Sequence, residues 1–197
     1  IKKDRLKLKF VKVQQKNFLE NVISDADYKF FKTKLKADGN IEWYFVVWFL
    51  TATGARVSEL LQIKAEHVYL GHLDMYTKGG KIRRLYIPKT LRSEAIKWLE
   101  TKNLRSGYIF LNRFGERITT RGISQQLKHF ASRYGLNLQV VYPHSFRHRF
   151  AKNFLDRFND IALLADLMGH ESIETTRIYL RRTASEQQAI VDKIVNW

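Results

Sequence analysis

Two prolines and ten glycines are all that interrupt 197 residues, and so few breakers point to long helices with a small β element between them. Ser24 is placed to cap a first helix, with Asp27 near its start and Tyr28, Phe31 and Leu35 at helical spacing. A second helix is expected over 43–51, closed by Ala52-Thr53-Gly54. A third begins near Arg56 and buries Val57, Leu60, Leu61 and Ile63. Between Glu66 and Pro88 the period changes to two: HVYL, HLDMYT and RRLYIP alternate apolar with polar, and Lys78-Gly79-Gly80-Lys81 reads as a hairpin turn. Three antiparallel strands are predicted there. Helices resume over 91–102, 120–134 with Thr119 or Thr120 as cap, 144–158, 160–168 and from Ser172 onward. The last, over 185–195, is short and amphipathic through Ala189, Ile190, Val191 and Ile194. The fold class expected is α+β, mainly α-helical, with a small three-stranded antiparallel sheet.

Charge narrows the partner. Lys and Arg number 35 against 19 Asp and Glu, a net charge of +16, which selects polyanions. With 45% hydrophobic residues the chain can bury a core, so the charge decorates a globule and does not mark a disordered basic tail. Zero cysteines removes disulfides, thiolate zinc sites, thiol nucleophiles and iron–sulfur clusters together, and fits a reducing compartment. No stretch approaches the roughly 18 to 20 apolar residues of a membrane span. Residues 1–20 alternate Leu6, Leu8 and Phe10 with Lys7 and Lys9 and are expected to be a basic linker or strand. The start at Ile1 suggests a piece of a longer protein.

Several constellations carry chemistry. In TGARVSEL, Arg56 lies just inside a helix start with Glu59 one turn on, able to brace its guanidinium. The alternative is an ordinary solvated pair worth little. Lys78 and Lys81 border the glycine turn and could meet a phosphate, or merely protect a strand edge. In HSFRH, directly after Pro143, His144 and Arg147 lie one turn apart at a helix N-terminus, a geometry that suits an anion. His144 and His148 at i and i+4, with His170, could suggest a zinc helix. The glutamate of a metalloprotease helix is replaced by Ser145, however, and nothing else is spaced as a ligand. LMGH ends a helix with Gly169 and presents His170, and TTRIYL places Tyr179 nine residues later. Taken singly, each has a bland reading as a cap or core residue.

Together these residues resemble the catalytic domain of the tyrosine recombinase (phage integrase) family. That family's pattern is an Arg in a T-G-x-R-x-x-E-L box, a Lys on the hairpin between the second and third strands, a His-x-x-Arg box, a His or Trp after Leu-Leu-Gly, and a Tyr about nine residues on. This sequence supplies Arg56, Lys78, His144 with Arg147, His170 and Tyr179 in that order over 24–197. Phe146, Met168 and Arg149 depart from the usual residues without touching the expected chemistry.

The resemblance implies a DNA strand-breaking and rejoining enzyme, a site-specific recombinase or integrase of mobile genetic elements. Tyr179 would attack the scissile phosphate to give a 3′-phosphotyrosyl intermediate and a free 5′-hydroxyl, conserving the bond energy without ATP, cofactor or metal. A phenol of pKa about 10 needs cations or a base to become a nucleophile at neutral pH. Arg56 and Arg147, with Glu59 in support, would clamp the phosphate, and His170 would donate to it. Lys78 would be the general acid, with Lys81 a competitor, and His144 the proton acceptor or orienter of Tyr179. Lys81, Arg83, Arg84, Arg121, Lys128 and Arg149 are candidates for DNA contact. The implied partners are double-stranded DNA and further copies of the chain, a tetramer on paired sites joined through residues 185–197. Residues 21–197 would be the catalytic domain, and a core-binding domain would lie upstream. The implied location is cytoplasmic and nucleoid-associated. Type IB topoisomerases use a similar residue set, and a non-catalytic basic DNA-binding module is a further alternative.

Overall fold

In the computed structural model, residues 21–76, 82–180 and 184–194 are described. Helix α1 (Asp25–Ala37) starts where the Ser24 hydroxyl accepts from the Asp27 N–H at 3.0 Å, and it buries Phe31 and Leu35. Helix α2 (Ile41–Thr53) is apolar on nearly every side, because α1, α5 (Lys89–Thr101) and α7 (Pro143–Arg157) surround it. Gly54 ends it with φ of +64°. A side chain there would collide with the Phe150 ring, so this glycine serves both the left-handed turn and the close approach of α7.

One-turn α3 (Val57–Leu60) and short α4 (Ala65–Leu70) lead into a hairpin of β1 (His72–Tyr76) and β2 (Ile82–Tyr86). Leu73 pairs with Leu85 and Met75 with Arg83. These four face inward, while Asp74 and Arg84 face out. The sequence predicted three strands, but among the described residues the sheet has two. HVYL belongs to α4. Its buried residues are Ala65 and Val68, three apart, and the His67 Nδ1 accepts the Lys64 N–H at 3.0 Å at the helix start. Four alternating residues could not separate that spacing from a strand's. The turn with Lys78 and Lys81, and the expected linker over 1–20, lie outside the described residues.

Helix α5 (Lys89–Thr101) packs Leu91, Ala95, Trp98 and Leu99 inward, one stripe at helical spacing. Helix α6 (Thr120–Arg133) is capped by Thr119, whose hydroxyl accepts from the Gly122 N–H. Helix α7 (Pro143–Arg157) joins two bodies of apolar packing. Phe146 enters the large core built around α2, and Ala151 and Leu155 enter a small cluster with Leu164 and Met168. Helix α8 (Ile161–Met168), capped by Asp160, supplies that cluster and leads to α9 (Ile173–Arg177), a 3-10 turn (Ile178–Leu180) and α10 (Ala184–Ile194). No helix among the described residues is long and apolar enough to cross a membrane.

Candidate active site

Three arginines meet at the C-terminal end of α8. Arg83 donates to the Leu167 carbonyl from Nε at 3.0 Å and Nη2 at 2.6 Å, Arg147 to the Met168 carbonyl at 2.6 Å, and Arg56 to the Gly169 carbonyl at 3.2 Å. These successive carbonyls are the unpaired, partially negative end of the helix. Gly169, at φ of +61°, turns the chain there, and a Cβ on it would strike the Arg83 side chain. Arg147 also donates to the Gly54 carbonyl at 2.5 Å, which ties α7 to the end of α2.

Glu59 sits among these cations. Its carboxylate accepts the Arg56 backbone N–H at 2.7 Å and the Arg56 guanidinium at 2.9 Å, pairs with Arg83, and lies 3.9 Å from Arg147. Burial alone would raise its pKa, but Arg83 and the hydrogen bond from Arg56 outweigh it and hold the carboxyl below the usual range. One carboxylate among three guanidiniums leaves an unbalanced positive charge. Arg147 shows the strain: it is 4% exposed, and burial first, then Arg56 and Arg83, push it down to about 10. A phosphodiester would supply the missing negative charge.

The Tyr179 hydroxyl is half-buried on the 3-10 turn and lies 2.5 Å from His148 Nδ1. The resemblance implies His144 as acceptor or orienter of Tyr179; the hydrogen bond to the hydroxyl is made by His148, on the next turn of α7. The His144 ring is exposed at 6.3 Å from that of His148, and it is held below the ordinary histidine range by the protein around it, then by Arg147 and Arg56. His170 accepts from or donates to the Thr176 hydroxyl at 2.7 Å through Nδ1. Burial, with Arg147 next, lowers His170 to about 4. Burial, then His144 and Arg147, lowers His148 to about 4 as well. Tyr179 is pushed up to about 12 by burial, against the pull of Arg147. The phenol is therefore protonated in the free protein.

Arg56, Glu59, His144, Arg147, His170 and Tyr179 thus converge, while Lys78 and Lys81 lie outside the described residues. Of the candidates for DNA contact, Arg121 and Lys128 are exposed on α6, and Arg84 is exposed in a two-pronged pair with Asp74 at 2.7 Å. A cleft of about 560 Å³ opens beside the start of α6, lined by Ser58, Gln62, Arg117, Thr119 and Thr120 among others. Arg83 and Arg149, expected from the sequence to contact DNA, do not face solvent. Both are buried; Arg83 is spent on Leu167 and Glu59, and Arg149 pairs with Asp25 and donates to the Ile23 carbonyl at 3.0 Å. Charge in a sequence does not reveal which arginines the interior will use. Among the described residues no group of three or more His, Asp or Glu is placed to hold a metal ion.

Residues 23–186 match the phage integrase family. The chain belongs to that family. It is similar to tyrosine recombinase XerA of Pyrococcus furiosus, 34% identical over 154 residues that cover 75% of this chain and 53% of that protein. It is likewise similar to tyrosine recombinase XerD of Listeria monocytogenes serotype 4b, 34% identical over 143 residues, covering 68% and 48%. This integrase-family chain spans about half the length of the curated relatives it matches. Its fold is that of the crystal structure of XerA recombinase (TM-score 0.71, 22% identity, covering 89% of this chain and 64% of the other). The Tn1549 transposon integrase in complex with transposon right end DNA shares it too (TM-score 0.73, 15% identity, 89% and 66%).

Proposed function

We propose that this integrase-family domain cleaves and rejoins double-stranded DNA in site-specific recombination, with Tyr179 as the nucleophile. The observation that carries the proposal is a tyrosine hydroxyl bonded to an imidazole on the helix that presents Arg147, beside a cluster with more positive than negative charge. Arg56 and Arg147 would hold the non-bridging oxygens of the scissile phosphate, His170 would add a hydrogen bond, and their charge would count most in the five-coordinate transition state. His144, next to both guanidiniums, would face the same phosphate. Lys78, in the family's position for it, would protonate the departing 5′ oxygen, with Lys81 as its competitor. Energy is conserved in the phosphotyrosyl bond, so the reaction calls for neither ATP nor a cofactor. Arg84, Arg121 and Lys128 would lie along the duplex backbone, where cations contribute affinity more than sequence discrimination.

The same proposal extends to assembly. Helix α10 buries none of its described side chains, and Val191 and Ile194 are exposed. An isolated helix of this length is marginal in water. This supports residues 185–197 passing to another copy in a tetramer on paired DNA sites, which gel-shift stoichiometry with and without that segment tests.

The decisive experiment traps the chain on a pool of nicked suicide duplexes of randomised sequence. A covalent adduct is expected, and Tyr179→Phe should abolish it while leaving DNA affinity nearly intact. Adduct surviving in that variant would move the nucleophile to Tyr142, Tyr134 or Tyr108. No adduct from the intact chain would leave a DNA-binding module. Relaxation of supercoils without strand transfer to a second duplex would favour a topoisomerase.

A further inference from the structure

Two histidines one helical turn apart face this site, and the structure separates their surroundings. His144 is exposed, and Arg147 and Arg56 are the charges that act on it. His148 is partly buried, with its Nδ1 2.5 Å from the Tyr179 oxygen and its ring 5.6 Å from the phenol ring. We infer that His148, not His144, is the general base that takes the Tyr179 proton, while His144 serves the phosphate. This rests on the proposed nucleophilic role of Tyr179.

Among the described residues, the groups facing His148 include members of three segments. Its own helix supplies His144 and Arg147, the segment after α8 supplies His170, and the 3-10 turn supplies Tyr179, near which lies Tyr142. Burial first, then His144 and Arg147, lower His148 to about 4, so its imidazole is neutral across the physiological range. A neutral ring bonded to a phenol through Nδ1 accepts there and carries its own hydrogen on Nε2. In the free protein the proton stays on the phenol, which is much the weaker acid of the pair. Attack itself changes the balance, because the phenol oxygen loses its basicity as it bonds to phosphorus. As the Tyr179 oxygen bonds to phosphorus, its proton passes to His148 Nδ1. The bond from phosphorus to the 5′ oxygen breaks, and that oxygen takes its proton from the ammonium proposed for this role, that of Lys78. Religation runs the same steps backward, with the imidazolium returning its proton to the phenol oxygen.

His148→Asn tests this, since the amide oxygen can occupy the place of Nδ1 as an acceptor but cannot take a proton. Single-turnover cleavage is measured from pH 6 to 8 on a nicked duplex recovered from the trapping pool. The intact chain should show a flat profile. His148→Asn should be slower by about 10²- to 10³-fold at neutral pH, and its rate should rise about tenfold per pH unit as hydroxide replaces the base. His144→Asn should lose rate without acquiring that slope. A flat, nearly unimpaired His148→Asn, or a new slope in His144→Asn, would overturn the inference. A second readout needs neither DNA nor turnover: the ring ¹⁵N resonances of His148 in the free chain. Nδ1 should be unprotonated at pH 7 and should shift in Tyr179→Phe. A resonance that ignores the phenol removes the contact and the inference with it. Absence of any adduct from the intact chain, with the resonance shift present, would instead strike at the function proposed for Tyr179.

Discussion

Around α2, Phe49, Val46, Val47 and Leu50 are wholly buried, and the core they anchor draws on every helix from α1 to α7. The corner that carries Tyr179 is different. Its buried members are Ala151, Leu155, Leu164 and Met168, with Phe150, Phe154, Tyr179 and Leu180 packed partly against them. Arg56 and Glu59 stand on the first body and Tyr179 on the second. Polar ties between the two include the three arginines that donate to the end of α8. The residues expected to hold a phosphate are thus fixed by a deep core, whereas the expected nucleophile rests on a shallow one. Such a division places the expected nucleophile in the part of the fold that opens at least cost.

The largest test of this contrast is a pair of truncations. Phe49→Ala should cost about 3 to 5 kcal/mol, a large share of the roughly 5 to 15 kcal/mol typical of a domain, and lower the global thermal midpoint. Leu155→Ala should cost nearer 2 kcal/mol and show itself mainly as faster amide exchange over 161–180. Equal global losses from both would mean that the two bodies unfold as one.

Acid should produce a smaller and more selective effect. His148 and His170 both fall from an ordinary 6.5 to about 4, so the opened chain binds their protons more readily than the folded one. Their contribution is complete above pH 6.5 and lost as pH falls through about 4. Exchange over 161–180, corrected for its intrinsic pH dependence, should quicken between pH 7 and 5 while α2 stays protected. Uniform protection across that range would contradict the shallow corner.

The smallest expected change in stability comes from deleting residues 185–197. With no described side chain of α10 buried, the midpoint of the remaining domain should hold. Higher-order complexes on paired DNA sites should weaken, and single-site binding should survive. If the truncated chain forms those complexes at unchanged concentrations, the proposed exchange of this segment fails.

Much of the fold was legible because local chemistry decides helix ends. Ser24, Thr119, Asp160 and Ser172 each accept a backbone N–H at the start of a helix, and Gly54 and Gly169 close two others. HVYL was not legible, since its true partner in burial, Ala65, stood outside the alternating window. The site was legible as a list of boxes: Arg56, Arg147, His170 and Tyr179 do converge. What sequence could not provide was depth. Arg83 and Arg149 look like any surface cations until the fold closes over them, and His148 is separated from His144 only by which turn of α7 the tyrosine happens to meet. The signal for His148 is its place in HSFRH, four residues after His144, a spacing that by itself reads as a metal-ligand pair.

The acceptors for Arg83, Arg147 and Arg56 are main-chain oxygens of residues 167, 168 and 169, and this shapes how the protein tolerates variation. A replacement at 167 alters no acceptor, and one at 168 need only remain apolar enough to stay in its cluster. The constraint collects on Gly169, where any side chain meets Arg83. A mutational scan would therefore find a permissive position at 167, one held to apolar residues at 168 and an intolerant one at 169, although all three seat an arginine. Those seats are inherited through the path of the backbone, which a single-letter substitution changes only by bending it.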